Sequence, residues 1–370
     1  MKIFLCGDVM TGRGIDQALP QPCPPALHEN YVDAAIEYLE LAERASGPIP
    51  WPVDFPYIWG VALEELNRAR PHARIINLET SITRSEAYEH KGINYRMSPE
   101  NAGSLITAGI DCCVLANNHV LDWGQTGLLD TLDTLDHLYI KTAGAGRDLT
   151  QASAPAILEI SEEGRLLVFS FASITSGTPW NWAAGPDTAG INLLPVLSEA
   201  MVTAIAQQVA EVRRQRDVVI ASVHWGPNWG YEVSESERRF AHALIDEAGV
   251  SIVHGHSSHH AKAIEIYKNG LILYGCGDFL NDYEGITGYD EFRGDLALMY
   301  FASIDPAGAN LLALEMVPLQ IRKFQLTHPS HADVDWLQQT LDRESRRFGT
   351  RVTLTRGGQM AASWSHVQSQ

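Results

Sequence analysis

Short runs of apolar residues alternate along this chain with longer segments in which apolar positions recur every three or four residues. The first pattern predicts buried strands and the second amphipathic helices, and their alternation predicts an α/β architecture. Ile3-Phe4-Leu5-Cys6 reads as a buried strand ending at Gly7-Asp8, with further strands over 74–78, 111–115, 218–223 and 250–253. One hairpin is expected to pair 155–160 with 165–171 about Glu163-Gly164. Another pairs 263–267 with 271–274 across Lys268-Asn269-Gly270, a sequence that favours a tight turn. Helices are predicted over about 33–44, 57–70, 98–109, 125–137, 197–215 and 236–248. The third of these has Ser98 as N-cap and Pro99 in its first turn. Beyond Asp295, two more strands and a helix over about 332–348 complete the core. This is one domain over 1–355, with a proline- and aromatic-rich insertion at about 21–56. Pro48-Ile49-Pro50-Trp51-Pro52 inside it lacks the backbone donors of regular structure. A polar tail occupies 356–370, and its last ten residues are expected to fray.

Composition narrows the class. The chain has 370 residues, 45% of them hydrophobic, enough to bury a large core. Against 27 Lys and Arg stand 45 Asp and Glu, a net charge of -18, so nucleic acid and anionic membrane surfaces are poor partners. The five cysteines, Cys6, Cys23, Cys112, Cys113 and Cys276, are odd in number and form no Cys-x-x-Cys pair. Cys6, Cys112 and Cys276 sit in apolar runs, as free thiols in a reducing compartment do. The apolar stretch before Asp8 is too short for a signal peptide, and no stretch reaches the ~20 apolar residues of a membrane span. A cytoplasmic location is expected.

Chemistry gathers at the ends of the predicted strands, where open α/β sheets bind ligands. Successive strands end in Gly7-Asp8-Val9-Met10, Asn77-Leu78-Glu79, Ala116-Asn117-Asn118-His119, His224-Trp225-Gly226 and His254-Gly255-His256-Ser257-Ser258-His259-His260. Any one of these has a plain explanation as a turn or a hydrogen-bonded histidine. Four imidazoles within seven residues, separated only by glycine and serine, do not. Carboxylate, amide and imidazole donors without a lysine suit one or two divalent ions such as Mn, Fe or Zn.

In this order the motifs resemble the calcineurin-like metallophosphoesterases, and more closely the bacterial CapA family of poly-γ-glutamate capsule synthesis proteins. The carrying segments are Gly7 to Gly14, Asn77-Leu78-Glu79-Thr80, Ala116 to His119, His224-Trp225-Gly226 and Gly255 to His259, with Tyr274-Gly275-Cys276-Gly277-Asp278-Phe279 later in the chain. The resemblance implies a layered α/β/β/α sandwich with its metal site at the C-terminal strand ends. It implies Asp8, Glu79, Asn118, His224, His256 and His259 as metal ligands, Glu79 bridging, and His119 beside the substrate as general acid or hydrogen-bond donor. Two positions depart from the wider superfamily: Met10 stands where a histidine ligand is usual, and the last motif is His-x-x-His rather than His-x-His. His254 and His260 fit outer-shell roles as well as they fit ligation.

The reaction implied is hydrolysis of a peptidyl, γ-glutamyl or phosphoester substrate. Metal-assisted peptide epimerisation and a non-catalytic accessory role in polymer synthesis are the alternatives. Arg13 is read as an anion anchor, with Lys262 and Arg293 as further cations. Asp278 and Asp282 are read as a catalytic base or partners of the histidines. Trp225 and Trp229 are read as substrate contacts, with Tyr231 following them and Trp180 and Trp182 as a second aromatic wall, although packing accounts for these rings equally well.

Overall fold

The structure, a computed structural model, describes residues 1–160 and 164–364. The chain opens a first sheet with β1 (Lys2–Val9) and adds β2 (Ala73–Leu78), β3 (Cys112–Val114) and β4 (Lys141–Ala143) in parallel order. It then builds a second sheet from β5 (Ala156–Glu159), β6 (Arg165–Ser173), β7 (Val218–His224), β8 (Ile252–His256), β9 (Ile264–Tyr267) and β10 (Gly270–Leu273). There β6, β7, β8 and β10 run parallel, while β5 and β9 are antiparallel hairpin partners at the two margins. The chain returns to the first sheet with β11 (Asp278–Leu280), β12 (Leu296–Asp305), β13 (Asn310–Arg322), β14 (Thr350–Leu354) and β15 (Met360–Trp364). The first strand thus becomes central. β2 lies along one side, and β12 and β11 share the other.

The two-residue period of strands sorts side chains into layers. Ile3, Leu5, Ile75, Cys112 and Val114 of the first sheet share one apolar core with Leu166, Val168, Val218, Ile220, Ile252 and Leu271 of the second, so the sheets face each other. The alternate residues Phe4, Cys6, Ile76 and Leu78 turn away, packing with Ile15 and Ala18 of the helix Arg13–Ala18 and Tyr38 and Leu39 of the helix Ile36–Ser46. On the far side Phe169, Phe171, Val219 and Val223 meet the helices Glu199–Val212 and Glu235–Asp246. The mixed α/β expectation holds, and Ser98 caps the turn it was predicted to start. Ser98 accepts from the Asn101 amide, and Ser234 closes a full capping box with Glu237.

Three expectations need correction. The helix predicted over 57–70 is two, Phe55–Trp59 and Ala62–Ala69, because the backbone turns at Gly60 with φ 46°. A Cβ there would lie 2.1 Å from the Leu326 carbonyl oxygen, so only glycine fits. The C-terminal part holds more strand than predicted. After the helix His331–Arg346, β14 and β15 pair with each other, and β15 pairs with β13. Residues 361–364 of the predicted fraying tail are therefore ordered by ladder bonds that polar side chains do not advertise. Residues 365–370, and Glu163 of the first predicted hairpin turn, lie outside the described residues. The second hairpin turns as predicted, with Lys268 and Asn269 both left-handed (φ 47° and 67°). Among the described residues no helix is long and apolar enough to cross a membrane.

Candidate metal centre

Alternation along β7 and β8 carries the inter-sheet face upward from Ile220 and Ile252 to Ser222, His224, His254 and His256. These four polar residues stand at the mouth of the gap between the sheets, cross-strand neighbours in register. Asp8 reaches the same gap only through an irregularity. Between Leu5 and Asp8 three steps of β1 match two steps of β2, from Ile75 to Asn77. This bulge moves Asp8 off the face of Phe4 and Cys6 and onto the inter-sheet face, level with Asn77.

Hydrogen bonds then dictate the state of each imidazole. The Cys6 carbonyl only accepts, so His254 Nε2 donates to it at 2.7 Å. His254 Nδ1 therefore accepts from the Ser222 hydroxyl at 3.0 Å, and Ser222 Oγ accepts from His256 Nε2 at 2.8 Å. Burial holds both rings neutral: it lowers the His254 pKa to about 4 and His256 well below its ordinary value. The relay leaves the His256 Nδ1 lone pair facing His224 Nδ1 at 2.8 Å and Asp8 Oδ1 at 3.9 Å. His254 is accordingly an orienting residue that never faces the gap's contents.

Two further buried atoms point to a cation. His224 Nε2 and Asn118 Oδ1 find no hydrogen-bond partner among the described residues, and His224 Nε2 lies 3.8 Å from Glu79 Oε1. Buried acceptors without donors are costly, and a divalent ion satisfies several at once. Asp8, His224 and His256 offer ligand atoms within 4.8 Å of one another, and so do Asp8, His259 and Asp278. The predicted set is thus brought together but divides about Asp8. His259 lies in the second group, where Nδ1 contacts Asp278 Oδ1 at 2.8 Å and Nε2 accepts from Asn228 at 3.0 Å. Asp278, read as a catalytic group, is as well placed to ligate.

The carboxylates repel one another. Burial and then Asp278 raise Asp8 from 3.8 to about 7, while burial, Asp8 and Asp278 raise Glu79. Since folded Asp8 holds its proton more tightly than unfolded Asp8, its contribution to stability is lost as pH rises from about 4 to about 7. The imidazoles of His119, His224, His254, His256 and His260, lowered mainly by burial, act in the opposite sense, whereas His259, where Asp278 and Asp8 outweigh burial, is raised and acts in the same sense as Asp8, so the wild-type profile sums all of these. Asp8→Asn isolates the carboxylate. In chelator, the melting temperature of D8N relative to wild type is expected to climb as pH goes from about 4 to about 7. A flat difference would refute the buried-carboxylate account.

His119 donates through Nδ1 to Asp122 Oδ2 at 2.6 Å, which leaves Nε2 bare, 3.9 Å from Glu79 Oε1. Lys91 Nζ meets Asp122 Oδ1 at 2.7 Å and also the Asn118 carbonyl. Neither Asp122 nor Lys91 was foreseen. The i,i+3 spacing of His119 and Asp122 was a visible sign of the first, whereas Lys91 comes from a non-repetitive segment.

Several predicted substrate contacts are placed elsewhere. Arg13 is buried and engaged with Asp282 (3.1 and 2.5 Å), Glu29 (3.0 Å) and Tyr38 (2.9 Å), between the Tyr38 and Tyr95 rings. Arg13 and Asp282 therefore join the first helix to the segment after β11, and the charge of the guanidinium is already balanced by two carboxylates, with four of its five N–H groups taken. Trp225 is core, its Nε1 donating to the Tyr274 carbonyl. Lys262 donates to the Glu232 carbonyl, and His260 accepts from the Gly230 amide. Trp229 lines a cavity of 730 Å³ with Arg13, Glu79, Asn118, His119 and His259, and stacks on Tyr289 at 4.5 Å. Much of the remaining lining comes from 281–295, a stretch left unassigned by periodicity, although its Gly285 and Gly288 flanked by tyrosines mark a loop.

The model of the bacterial capsule synthesis protein PGA_cap matches residues 2–283. The chain is 46% identical over 354 residues to a "probable polyglutamine synthesis accessory protein" of Mycobacterium tuberculosis, covering 95% of this chain and 93% of the relative. It is 25% identical over 341 residues to the PGA biosynthesis protein CapA of Bacillus subtilis, covering 91% and 76%. With the capsule biosynthesis protein CapA of Bacillus anthracis the identity is 26% over 240 residues, covering 63% and 53%.

Proposed function

Because this chain belongs to the bacterial capsule synthesis protein family PGA_cap, we propose that it is a metal-dependent hydrolase of metallophosphoesterase type acting on a γ-glutamyl, peptidyl or phosphoester bond. The observation that carries this reading is the pair of buried, unpartnered atoms His224 Nε2 and Asn118 Oδ1 beside the Glu79 carboxylate. Asp8, Glu79, Asn118, His224 and His256 would hold one ion, and Asp8, His259 and Asp278 a second. The donor set of carboxylates, amide and imidazoles suits Mn, Fe or Zn. A divalent ion here supplies Lewis acidity, polarising an ester or amide oxygen and making water more acidic. Two sheets that face each other directly and carry helices on their outer faces, with this set at the strand ends, support the fold assignment.

The protein's own groups do the rest. Asp122 fixes the His119 tautomer so that Nε2 carries the lone pair toward the cavity. Burial, only partly offset by Asp122, lowers His119 to about 4, so the ring is neutral at pH 7 and first accepts a proton before it can donate one. Five free, buried cysteines support a reducing compartment.

Elemental analysis of the purified protein should find one to two equivalents of Mn, Fe or Zn. His119→Ala should keep the metal while kcat falls by about 10²–10⁴. A protein that takes up none of the three metals would end this reading. The relatives' names favour one alternative: metal bound, with no turnover of γ-glutamyl peptides, other peptides or phosphoesters, would make the chain an accessory protein in polyglutamate synthesis. Solvent deuterium entering a peptide without cleavage would instead indicate epimerisation.

A further inference from the structure

The charges around the cavity restrict what enters it. Three cationic residues line it, Arg13, Arg293 and Arg322. Arg13 is spent on Asp282 and Glu29. Arg293 is spent on Asp295, at 2.8 Å through two nitrogens, and on Asp333 at 2.7 Å. Only Arg322, exposed at the end of β13, has a guanidinium with no partner among the described residues. Opposing it are Glu284, bonded to neutral donors only, and the exposed Asp290, with no cation paired to either.

The same lining is apolar at the loop after β11. Ile286 is 46% exposed and Tyr289 52%, and Tyr289 lies flat on Trp229. An apolar shelf beside a single free guanidinium matches a ligand with one carboxylate and one apolar portion. A γ-glutamate polymer carries a carboxylate in every residue. Outside the proposed metal centre it would bring several anions to one available cation, past two uncompensated carboxylates, on a chain of net charge -18.

We infer that this cavity takes a short acyl or peptidyl substrate with a single terminal carboxylate, bound by Arg322, and an apolar side chain against Ile286 and the Tyr289–Trp229 shelf, and that it rejects the γ-glutamate polymer. The inference names the substrate class for the hydrolase proposed above and rests on that reading for the bond broken, though not for binding.

Calorimetric titration of the full chain tests it with three probes: an N-acetylated tripeptide ending in leucine, the same peptide as its C-terminal amide, and a γ-glutamate oligomer. The acid should bind about tenfold or more tighter than the amide, and Arg322→Gln should erase that difference while melting like the wild type. The oligomer should bind more weakly than the tripeptide acid, and Asp290→Asn should narrow the gap. An oligomer that binds tighter than the tripeptide, or an acid preference that survives R322Q, would overturn the inference. The two readings fail separately. A protein that holds no metal yet prefers the acid through Arg322 sinks the hydrolase and upholds this assignment.

Discussion

Replacing His256 by alanine is expected to strip metal from the centre while the protein continues to melt cooperatively. The ring lies at the end of a relay whose other members, Ser222, His254 and the Cys6 carbonyl, are fixed by hydrogen bonds of 2.7–3.0 Å and stay in place when it is truncated. Ser222→Ala gives the graded control. It leaves the His256 Nε2 proton without an acceptor and frees the ring to change tautomer. Outer partners of this kind are worth roughly 10–100-fold in metal affinity, and the ligand itself should cost more than that. Metal content and affinity, measured for both variants beside their thermal melts, decide the matter. If H256A binds metal as well as S222A does, His256 is not a ligand. If H256A unfolds with its metal retained, the ring serves the core instead.

Gly7→Ala should be the most damaging substitution available without touching a polar group. A Cβ on Gly7 would lie 1.6 Å from the Gly277 carbonyl oxygen and 2.7 Å from its carbon, so β1 and the approach to β11 would have to separate. That contact includes the Asp8 amide donating to Gly277 at 3.0 Å, so Asp8 would move with it. Overpacking against rigid backbone, with strain added in the bulge, is expected to cost about 3 kcal/mol or more. Denaturant unfolding measures this directly, and metal affinity should fall in the same variant. A loss below about 1 kcal/mol would mean that the strands part easily and that the bulge does not hold Asp8.

Much of this was legible beforehand, for a specific reason. Each apolar strand stops abruptly at a polar residue, so Asp8, Glu79, Asn118, His224 and His256 announce themselves at five strand ends. Alternation then predicts that His224 and His256 share a face. The bulge was not legible, because an extra residue at Gly7 leaves the run Ile3 to Asp8 looking like any strand, and the face on which Asp8 falls depends on it. Nor was the fate of Arg13, whose partner Asp282 is 269 residues away. A lone arginine after a strand looks the same whether it awaits an anion or is already neutralised. The division of the ligands, with His259 turned to Asp278, depends on the loop after β11, whose course no periodicity specifies.

The site is split between two sheets, and Asp8 and Ser257, joined by a hydrogen bond, stand 249 residues apart. During synthesis Asp8 and Glu79 leave the ribosome long before the imidazoles of His224, His256 and His259 that oppose them. Until residue 259 has emerged, a nascent chain holds Asp8 and Glu79 without the second-sheet imidazoles that share an ion with them. The site therefore cannot be completed before β8 has been made, and a chain truncated short of β8 lacks His256 and His259 and half of the ligand set.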